Sequence, residues 1–419
     1  MSNHEDDHTQ VLLPEAHVTL FSRNKDTVET FLSLEQDWRF ARVTLETKEG
    51  GVDTASDYYA EYESPELVIV ETEDIDDGFT KQLESLGGNC VEGTAAIVIG
   101  PVNDVNLYRK LVGMGVSDYI VRPVKKGAFA DNIAATLLDK IGARDSRLIA
   151  FVGSKGGVGT TVLAEAMAWG LADKMAQKTF IMDAAAGWSS LAVGMNFEPS
   201  TTLAEATRAA SNADEDSLSR MLQQAGERLT VLATGGDVML DDAVDPETLE
   251  SLIDFIMATY PVLVIDLSGA SVAMKSVVLS RANEIVLVSS PTLPSLRSAR
   301  TLMHEIKTLR GGDDTEIDLV INMHGFSPKF EVSKSDIELA LERKPSVFIP
   351  FNPDMFVGAE SDGRKMTEEK GGMSVVESIL PLVSKILSGR VKDGKSETAN
   401  DDGKKGGLGG LINKLKAKS

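Results

Sequence analysis

The chain has 419 residues, enough for two or three domains that each bury a core of their own. Its formal charge of −22 opposes binding to a phosphate backbone, which depends on clustered Lys and Arg, so no nucleic-acid partner is expected. The single cysteine, Cys90, excludes an internal disulfide and a cysteine-based zinc site.

In chain order, residues 1–15 are polar and acidic, without an apolar signal core, and are expected to be a disordered lead-in. No run reaches membrane-spanning length, so the expected location is cytoplasmic. From residue 16 to 145 strands and helices alternate. Strands are expected at Val18–Phe21, Leu67–Val70, Ala95–Ile99 and Asp118–Val121. Helices are expected at Thr27–Leu34, Phe79–Leu86, Val105–Met114 and Ala128–Ile141. Continuous apolar strands between helices argue for a parallel sheet covered on both faces. The polar stretch Gly142–Ser146 marks a junction, placing a domain boundary near 145.

The second domain, 146–388, opens on the strand Leu148–Val152 and the run Val152-Gly153-Ser154-Lys155-Gly156-Gly157-Val158-Gly159-Thr160-Thr161, then a helix over Val162–Ala172. Strand, glycine-rich turn and helix N-terminus together form a phosphate-binding context, because backbone N–H groups and the helix dipole converge on an anion. Against the G-x-x-x-x-G-K-[ST] pattern, Ser154 replaces the first Gly and Thr160 the lysine, while Thr161 keeps the hydroxyl that serves Mg²⁺. Strands follow at Thr179–Met182, Leu229–Ala233, Pro261–Asp266, Ile285–Val288, Ile317–Ile321 and Val347–Ile349. Asp245 and Pro246 have the N-cap and N1 chemistry of a helix start. Further helices are expected at about Leu293–Leu309 and Met373–Leu387. Asp266, ending an apolar strand, fits either a Walker B carboxylate in the Mg²⁺ shell or a plain strand-end cap.

Residues 389–407 are rich in Gly, Lys, Asp and Ser and are expected to be a flexible linker. In the last segment, 408–419, Leu408, Leu411, Ile412 and Leu415 share one helical face, with Lys414, Lys416 and Lys418 off it. Such an end could lie on an anionic membrane, dock in a partner groove, or fray without a specific role.

Gly115-Val116-Ser117-Asp118-Tyr119-Ile120-Val121-Arg122-Pro123 resembles the closing segment of response-regulator receiver domains, with Arg122 in place of the lysine. That likeness implies a flavodoxin-like domain. Receiver phosphorylation needs an acidic pair after the first strand and an Asp after the third. Here Ser22-Arg23-Asn24 offers no carboxylate pair, and Glu71 occupies the acceptor position. Glu71 is therefore either a standing imitation of a phosphorylated Asp or a relic, on a pseudo-receiver used for protein contacts.

Lys155-Gly156-Gly157-Val158-Gly159-x-Thr161 resembles the deviant Walker A motif of the ParA/MinD superfamily. The likeness implies ATP and Mg²⁺ as cofactors and a sandwich homodimer in which Lys155 reaches the partner's nucleotide. It also implies that Asp183 matches the first Asp of a D-x-D motif, that Asn322 contacts adenine, and that Pro350, in Ile349-Pro350-Phe351-Asn352-Pro353, lies beside the base. Pro291–Arg297 is similar to the superfamily's P-x-x-x-S-L-R segment.

The expected fold is thus α/β, two doubly wound parallel sheets, one receiver-like and one P-loop NTPase. That domain order resembles the CpaE/TadZ family, which implies a role in positioning or assembling Tad/Flp-type pilus secretion systems, peripheral to the inner face of the plasma membrane or at a cell pole. Thr160 cannot neutralise phosphate charge; losing one charge-assisted contact costs about 1.5–3 kcal/mol, or roughly 10- to 150-fold in affinity. Ala185 stands where the second Asp of D-x-D would sit near the attacking water. Binding with weak or no hydrolysis is the expectation; the alternative is an active ATPase cycling on a membrane or other surface like MinD or ParA.

Overall fold

The computed structural model describes residues 11–382, apart from 74–76, 92, 141–145, 186, 188, 237–243, 313–316, 363–364, 366, 369–370 and 380. The junction residues 142–145, the linker and the amphipathic segment carrying Leu408, Leu411, Ile412 and Leu415 lie outside the described residues, as do residues 1–10.

The first sheet is built from β1 (Ala16–Phe21), α1 (Lys25–Leu32), β2 (Val43–Lys48), α2 (Val52–Tyr59), β3 (Leu67–Glu71), α3 (Asp77–Asn89), β4 (Ala95–Gly100), α4 (Val105–Gly113), β5 (Asp118–Val121) and α5 (Lys126–Lys140). Its strands run parallel in the order β2-β1-β3-β4-β5. This is the flavodoxin-like order, with the ligand crevice at the carboxyl ends of β1 and β3. Successive strand residues feed opposite faces. Leu20, Ile69 and Ile97 meet Phe31, Phe129 and Ile133 on one side. Phe21, Val70 and Val98 meet Tyr59, Phe79 and Leu111 on the other. Both faces are thus buried, which is why β3 and β4 read as unbroken apolar runs.

The unit β2–α2 is absent from the sequence-based expectation. Val43-Thr44-Leu45-Glu46-Thr47-Lys48 alternates and is half-exposed at the sheet edge, so it lacks the apolar run that betrays a central strand. The lead-in also differs from expectation over its last residues. Leu13 is fully buried in the core, its N–H donates to the Arg39 carbonyl at 2.9 Å, and Val11 is buried as well. Three consecutive apolar residues, Val11, Leu12 and Leu13, in an otherwise polar start give that segment surface to bury.

The second sheet comprises β6 (Arg147–Gly153), α6 (Thr160–Trp169), β7 (Thr179–Asp183), α7 (Ser190–Gly194), α8 (Leu203–Ser211), α9 (Glu215–Met221), β8 (Leu222–Gln224), β9 (Leu229–Leu232), α10 (Pro246–Thr259), β10 (Val262–Asp266), α11 (Val272–Arg281), β11 (Glu284–Ser289), α12 (Leu293–Leu309), β12 (Asp318–His324), α13 (Lys334–Leu341), β13 (Val347–Pro350) and α14 (Pro353–Asp362). The strand order is β13-β12-β11-β6-β10-β7-β9-β8, parallel except for β8, which pairs antiparallel with β9 at the edge. Asp245 caps α10 through its side chain and Pro246 sits in the first turn, as the sequence predicts. The expected closing helix, Met373–Leu387, is described over 372–379 and packs Val375, Val376 and Ile379 beneath α6.

The first domain sits at the amino-terminal ends of the second domain's strands. The Leu12 N–H donates to the Ser280 carbonyl at 2.9 Å, just before β11. Arg42 pairs with Glu250 of α10. The Arg310 guanidinium, at the end of α12, lies 5.6 Å from the centre of the Trp38 ring. Parallel strands put the glycine-rich loop, which follows β6, at the opposite end of the sheet.

Candidate functional site

The loop after β6 is held in shape from below and left open above. Gly157 and Gly159 take φ of 77° and 84°, left-handed values that a side chain resists. Gly159 is the N-cap of α6. A Cβ on Gly159 would come 2.5 Å from the Asn322 amide nitrogen, whereas one on Gly156 or Gly157 would meet nothing within 4 Å. The floor is therefore tight, and the cradle above the loop has room for an anion.

The expected binding residues are not equivalent in place. Lys155 is exposed and its ammonium donates to the Gly156 carbonyl at 3.2 Å. Val158 is buried, and its carbonyl accepts from the Asn322 side chain at 2.9 Å, while the Asn322 amide oxygen accepts from the Met323 N–H at 2.8 Å. In this single chain Asn322 thus uses its amide to brace the loop. Pro350 is exposed, paired in register with His324 at the carboxyl end of the adjacent strands. Thr160 is 4% exposed and its hydroxyl packs beneath the loop against Gly153, so its side chain does not reach the cradle. Only its backbone, at the first turn of α6, faces an anion there.

Thr161 and Asp266 do come together. The Thr161 hydroxyl donates to Asp266 Oδ2 at 2.5 Å, and the Ser268 hydroxyl donates to the same oxygen at 2.8 Å. Asp266 Oδ1 accepts from the Ser268 N–H at 2.9 Å. The Thr161 hydroxyl also lies 3.0 Å from that of Ser268 and 3.4 Å from that of Ser190. A carboxylate with three hydroxyls is an all-oxygen set, the ligand chemistry Mg²⁺ takes alongside nucleotide phosphate and water. Asp266 is fully buried, which pushes its pKa up, and the hydrogen bonds from Thr161 and Ser268 act against that rise.

Asp183 lies one strand away, level with Asp266 across the β7–β10 pairing. It is 3% exposed. Its carboxylate accepts from the Ser189 hydroxyl, from Thr234 at 3.2 Å and from the Ala185 N–H at 3.3 Å. Burial first, then the charge of Asp266, raises its pKa to about 7. Because Ser189 is the N-cap of α7, Asp183 anchors the turn that brings Ser190 to Thr161. Ala185 is 4% exposed and faces Gly269, whose added Cβ would lie 2.8 Å from that of Ala185. A carboxylate at 185 would have to displace these close neighbours.

A serine cluster below the loop has no counterpart among the sequence-based expectations. Ser154, which replaces the first glycine of the motif, is buried with its hydroxyl 2.8 Å from Ser295 and 3.3 Å from Ser289. Ser295 also accepts from the Ser290 N–H at 3.0 Å, and Ser298 donates to the Ser154 carbonyl. Isolated serines carry no pattern of their own, though Ser295 lies within the P-x-x-x-S-L-R likeness.

The crevice of the first domain is filled from within. Glu71, 6% exposed at the end of β3, accepts from the Ser22 hydroxyl and from Thr27 at 3.2 Å, with Arg122 Nη1 3.4 Å away. Arg122 also holds Glu73 in a bidentate pair at 2.7 and 2.8 Å. The hydroxyl and cation that would greet a phosphoryl group are already spent on a carboxylate, and Asn24 caps α1 rather than serving a metal.

With this geometry in view, residues 146–319 match the sequence profile of a family described as an AAA domain. The fold of that stretch is of the ParA/MinD-like P-loop NTPase kind. The fold is similar to that of a ParA family ATPase from Chlorobium tepidum TLS, at 22% identity over 57% of this chain and 99% of that one, with a TM-score of 0.52. A CpaE2 pilus assembly protein from Sinorhizobium meliloti 1021 is similar at 38% identity over 28% of this chain and 96% of that one, with a TM-score of 0.28. The septum site-determining protein MinD from Pyrococcus horikoshii OT3, solved with Mg-ADP, is similar at 19% identity over 58% of this chain and 98% of that one, with a TM-score of 0.49. No protein of curated function matches the chain. Among the described residues no helix is long and apolar enough to cross a membrane.

Proposed function

We propose that this chain is an ATP-binding, dimerising positioning or assembly factor of a Tad/Flp-type pilus secretion system that hydrolyses ATP slowly or not at all. The observation that carries the reading is the division of the site. The groups read as binding are present around the open loop: the glycine backbone, the exposed Lys155 and the bonded Thr161–Asp266 pair. The groups that would drive hydrolysis are absent from it, since Thr160 is tucked under the loop and Ala185 is wedged against Gly269.

Mg²⁺, if bound, would supply charge neutralisation to a nucleotide's phosphates, and Thr161 and Asp266 are the residues that would hold it. Lys155, free to swing from its own loop, is the group available to a second copy's nucleotide. Asp183 acts by position: its hydrogen bond from Ser189, the N-cap of α7, holds the start of that helix and so the place of Ser190. With no carboxylate at 185 to orient a water and no lysine at 160, the developing charge of phosphoryl transfer meets few stabilising groups. ATP then persists and can hold two subunits together.

The assembly role rests on the domain order, a receiver-like unit ahead of a ParA/MinD-like domain. Its crevice, closed over Glu71, supports a unit that presents a constant surface to protein partners rather than one switched by phosphorylation. The amphipathic tail, with Leu408, Leu411, Ile412 and Leu415, supplies a membrane or partner contact that a dimer would present twice.

The test is size exclusion with light scattering on wild type and Lys155→Ala, each with and without Mg-ATP. A dimer mass for wild type with Mg-ATP alone is expected; the same mass in all four samples would refute the clasp. Liposome co-sedimentation of full length against a chain ending at Arg390 tests the tail, and equal binding would remove it.

A further inference from the structure

The helix α12 touches both ends of the second domain. At its amino end, Ser295 and Ser298 grip Ser154: one hydroxyl meets the Ser154 hydroxyl at 2.8 Å and the other meets its carbonyl. Ser154 is the residue immediately before Lys155, so the entry to the glycine-rich loop is pinned to this helix. At its carboxyl end, the Arg310 guanidinium stacks 5.6 Å from the centre of the Trp38 ring in the first domain, with Nη1 donating to the Ala282 carbonyl at 2.9 Å. Gly311 follows at φ 77°, and Trp38 lies so close that an added Cβ would overlap its ring. The 17 residues between make a rod about 25 Å long.

We propose that α12 is a strut that couples nucleotide occupancy of the loop to the seat of the receiver-like domain on Trp38. The inference rests on the nucleotide-binding reading above and adds a route by which that binding is felt at the far end of the sheet. A regular helix is stiff along its axis and transmits an axial shift rather than absorbing it. Both of its anchors are specific. The serine pair leaves Ser154 little freedom, and the Trp38–Gly311 contact has no slack for a sliding helix end. An anion drawn into the loop that moves Ser154 must therefore move Ser295 and Ser298, and with them the surface against which Trp38 rests. Coupling of this kind is reciprocal: a change at the seat must alter affinity at the loop by the same factor that nucleotide alters the seat.

Two measurements on the full chain test this. The first is titration with a fluorescent ATP analogue and Mg²⁺ of wild type, Trp38→Ala and Gly311→Ala, and of Ser295→Ala with and without Trp38→Ala. Trp38→Ala, remote from the loop, is expected to weaken binding by about fivefold or more, at the lower edge of usual coupling factors. In the Ser295→Ala background the same change should have little further effect, a pattern that general loss of stability would not give. The second is hydrogen exchange of the peptide spanning residues 36–43 in wild type, with and without saturating Mg-nucleotide, where slowed exchange is expected. Equal affinity in wild type, Trp38→Ala and Gly311→Ala, or unchanged exchange at saturation, would overturn the strut while leaving nucleotide binding intact. Absence of any binding by wild type would overturn the functional reading and the strut together.

Discussion

Gly159 and Gly156 lie three residues apart in one loop, yet alanine should act on them in different ways. At Gly159 the backbone has φ of 84°, and holding a side chain there costs about 1–2 kcal/mol. The new Cβ would stand 2.5 Å from the Asn322 amide nitrogen, displacing it from the Val158 carbonyl. Stranding those buried partners adds about 1–3 kcal/mol. Together the substitution should cost about 2–5 kcal/mol, lowering the melting temperature of a domain this size on the order of 5–15 °C. Gly156 has open space where its Cβ would go, so alanine there should change stability by no more than about 0.5 kcal/mol. Its methyl, however, would project into the cradle and keep phosphate oxygens from the backbone N–H groups. Affinity for Mg-ATP should fall at least tenfold, about 1.4 kcal/mol. Calorimetry and a fluorescent-nucleotide titration on both variants decide the matter. A Gly159→Ala chain that melts like wild type, or a Gly156→Ala chain that binds like wild type, would refute this picture of a tight floor and an open cradle.

Ala185→Asp should not restore hydrolysis, because the site is packed against Gly269; overpacking costs about 1–3 kcal/mol and a third buried carboxylate would join Asp183 and Asp266. Normal melting with multiple turnovers would contradict that. Thr160→Lys should tighten Mg-ATP binding by about tenfold or more, read by the same titration, since a lysine can extend past the floor that buries the threonine. Asp183 holds a proton up to about pH 7 when folded, well above the unfolded carboxylate, so wild-type stability should fall as pH rises between about 4 and 7. Asp183→Asn lacks that penalty, and its advantage in stability, followed by melting, should widen from pH 5 to pH 8 and approach a few kcal/mol; a constant difference would show that Asp183 titrates normally. Glu71→Asp, incubated with acetyl phosphate and Mg²⁺, should keep its intact mass, because Ser22 and Asn24 provide no metal-binding carboxylates.

Much of this was legible in the residues. The buried strands β3, β4, β6, β7 and β10 announce themselves as apolar runs because helices cover both their faces. The edge elements do not: β2 carries Glu46 and Lys48, and β8 has only three residues before its turn. The helix α8 is absent from the expected elements although Thr202 and Glu205 form a capping box with T-x-x-E spacing. At the site, Thr161 and Asp266 could be paired from the motif and the strand end, and their hydroxyl–carboxylate bond places them together. What could not be seen was which way the remaining groups face. Thr160 turning under the loop, Asp183 turning toward Ser189 and Asn322 reaching the Val158 carbonyl all depend on contacts between residues 6 to 164 positions apart. The serines at 154, 295 and 298 belong to the same class, since only the sheet brings them into one cluster.

The most direct test of the central claim is a single-turnover assay with γ-labelled ATP on the full chain, sampled alongside its mass in solution. Bound ATP should remain intact while the chain stays dimeric, with little or no phosphate released over the time an active relative completes many cycles. Release of phosphate at the pace of such a relative, with the dimer dissolving as ATP is consumed, would contradict a nucleotide clasp and restore the cycling ATPase.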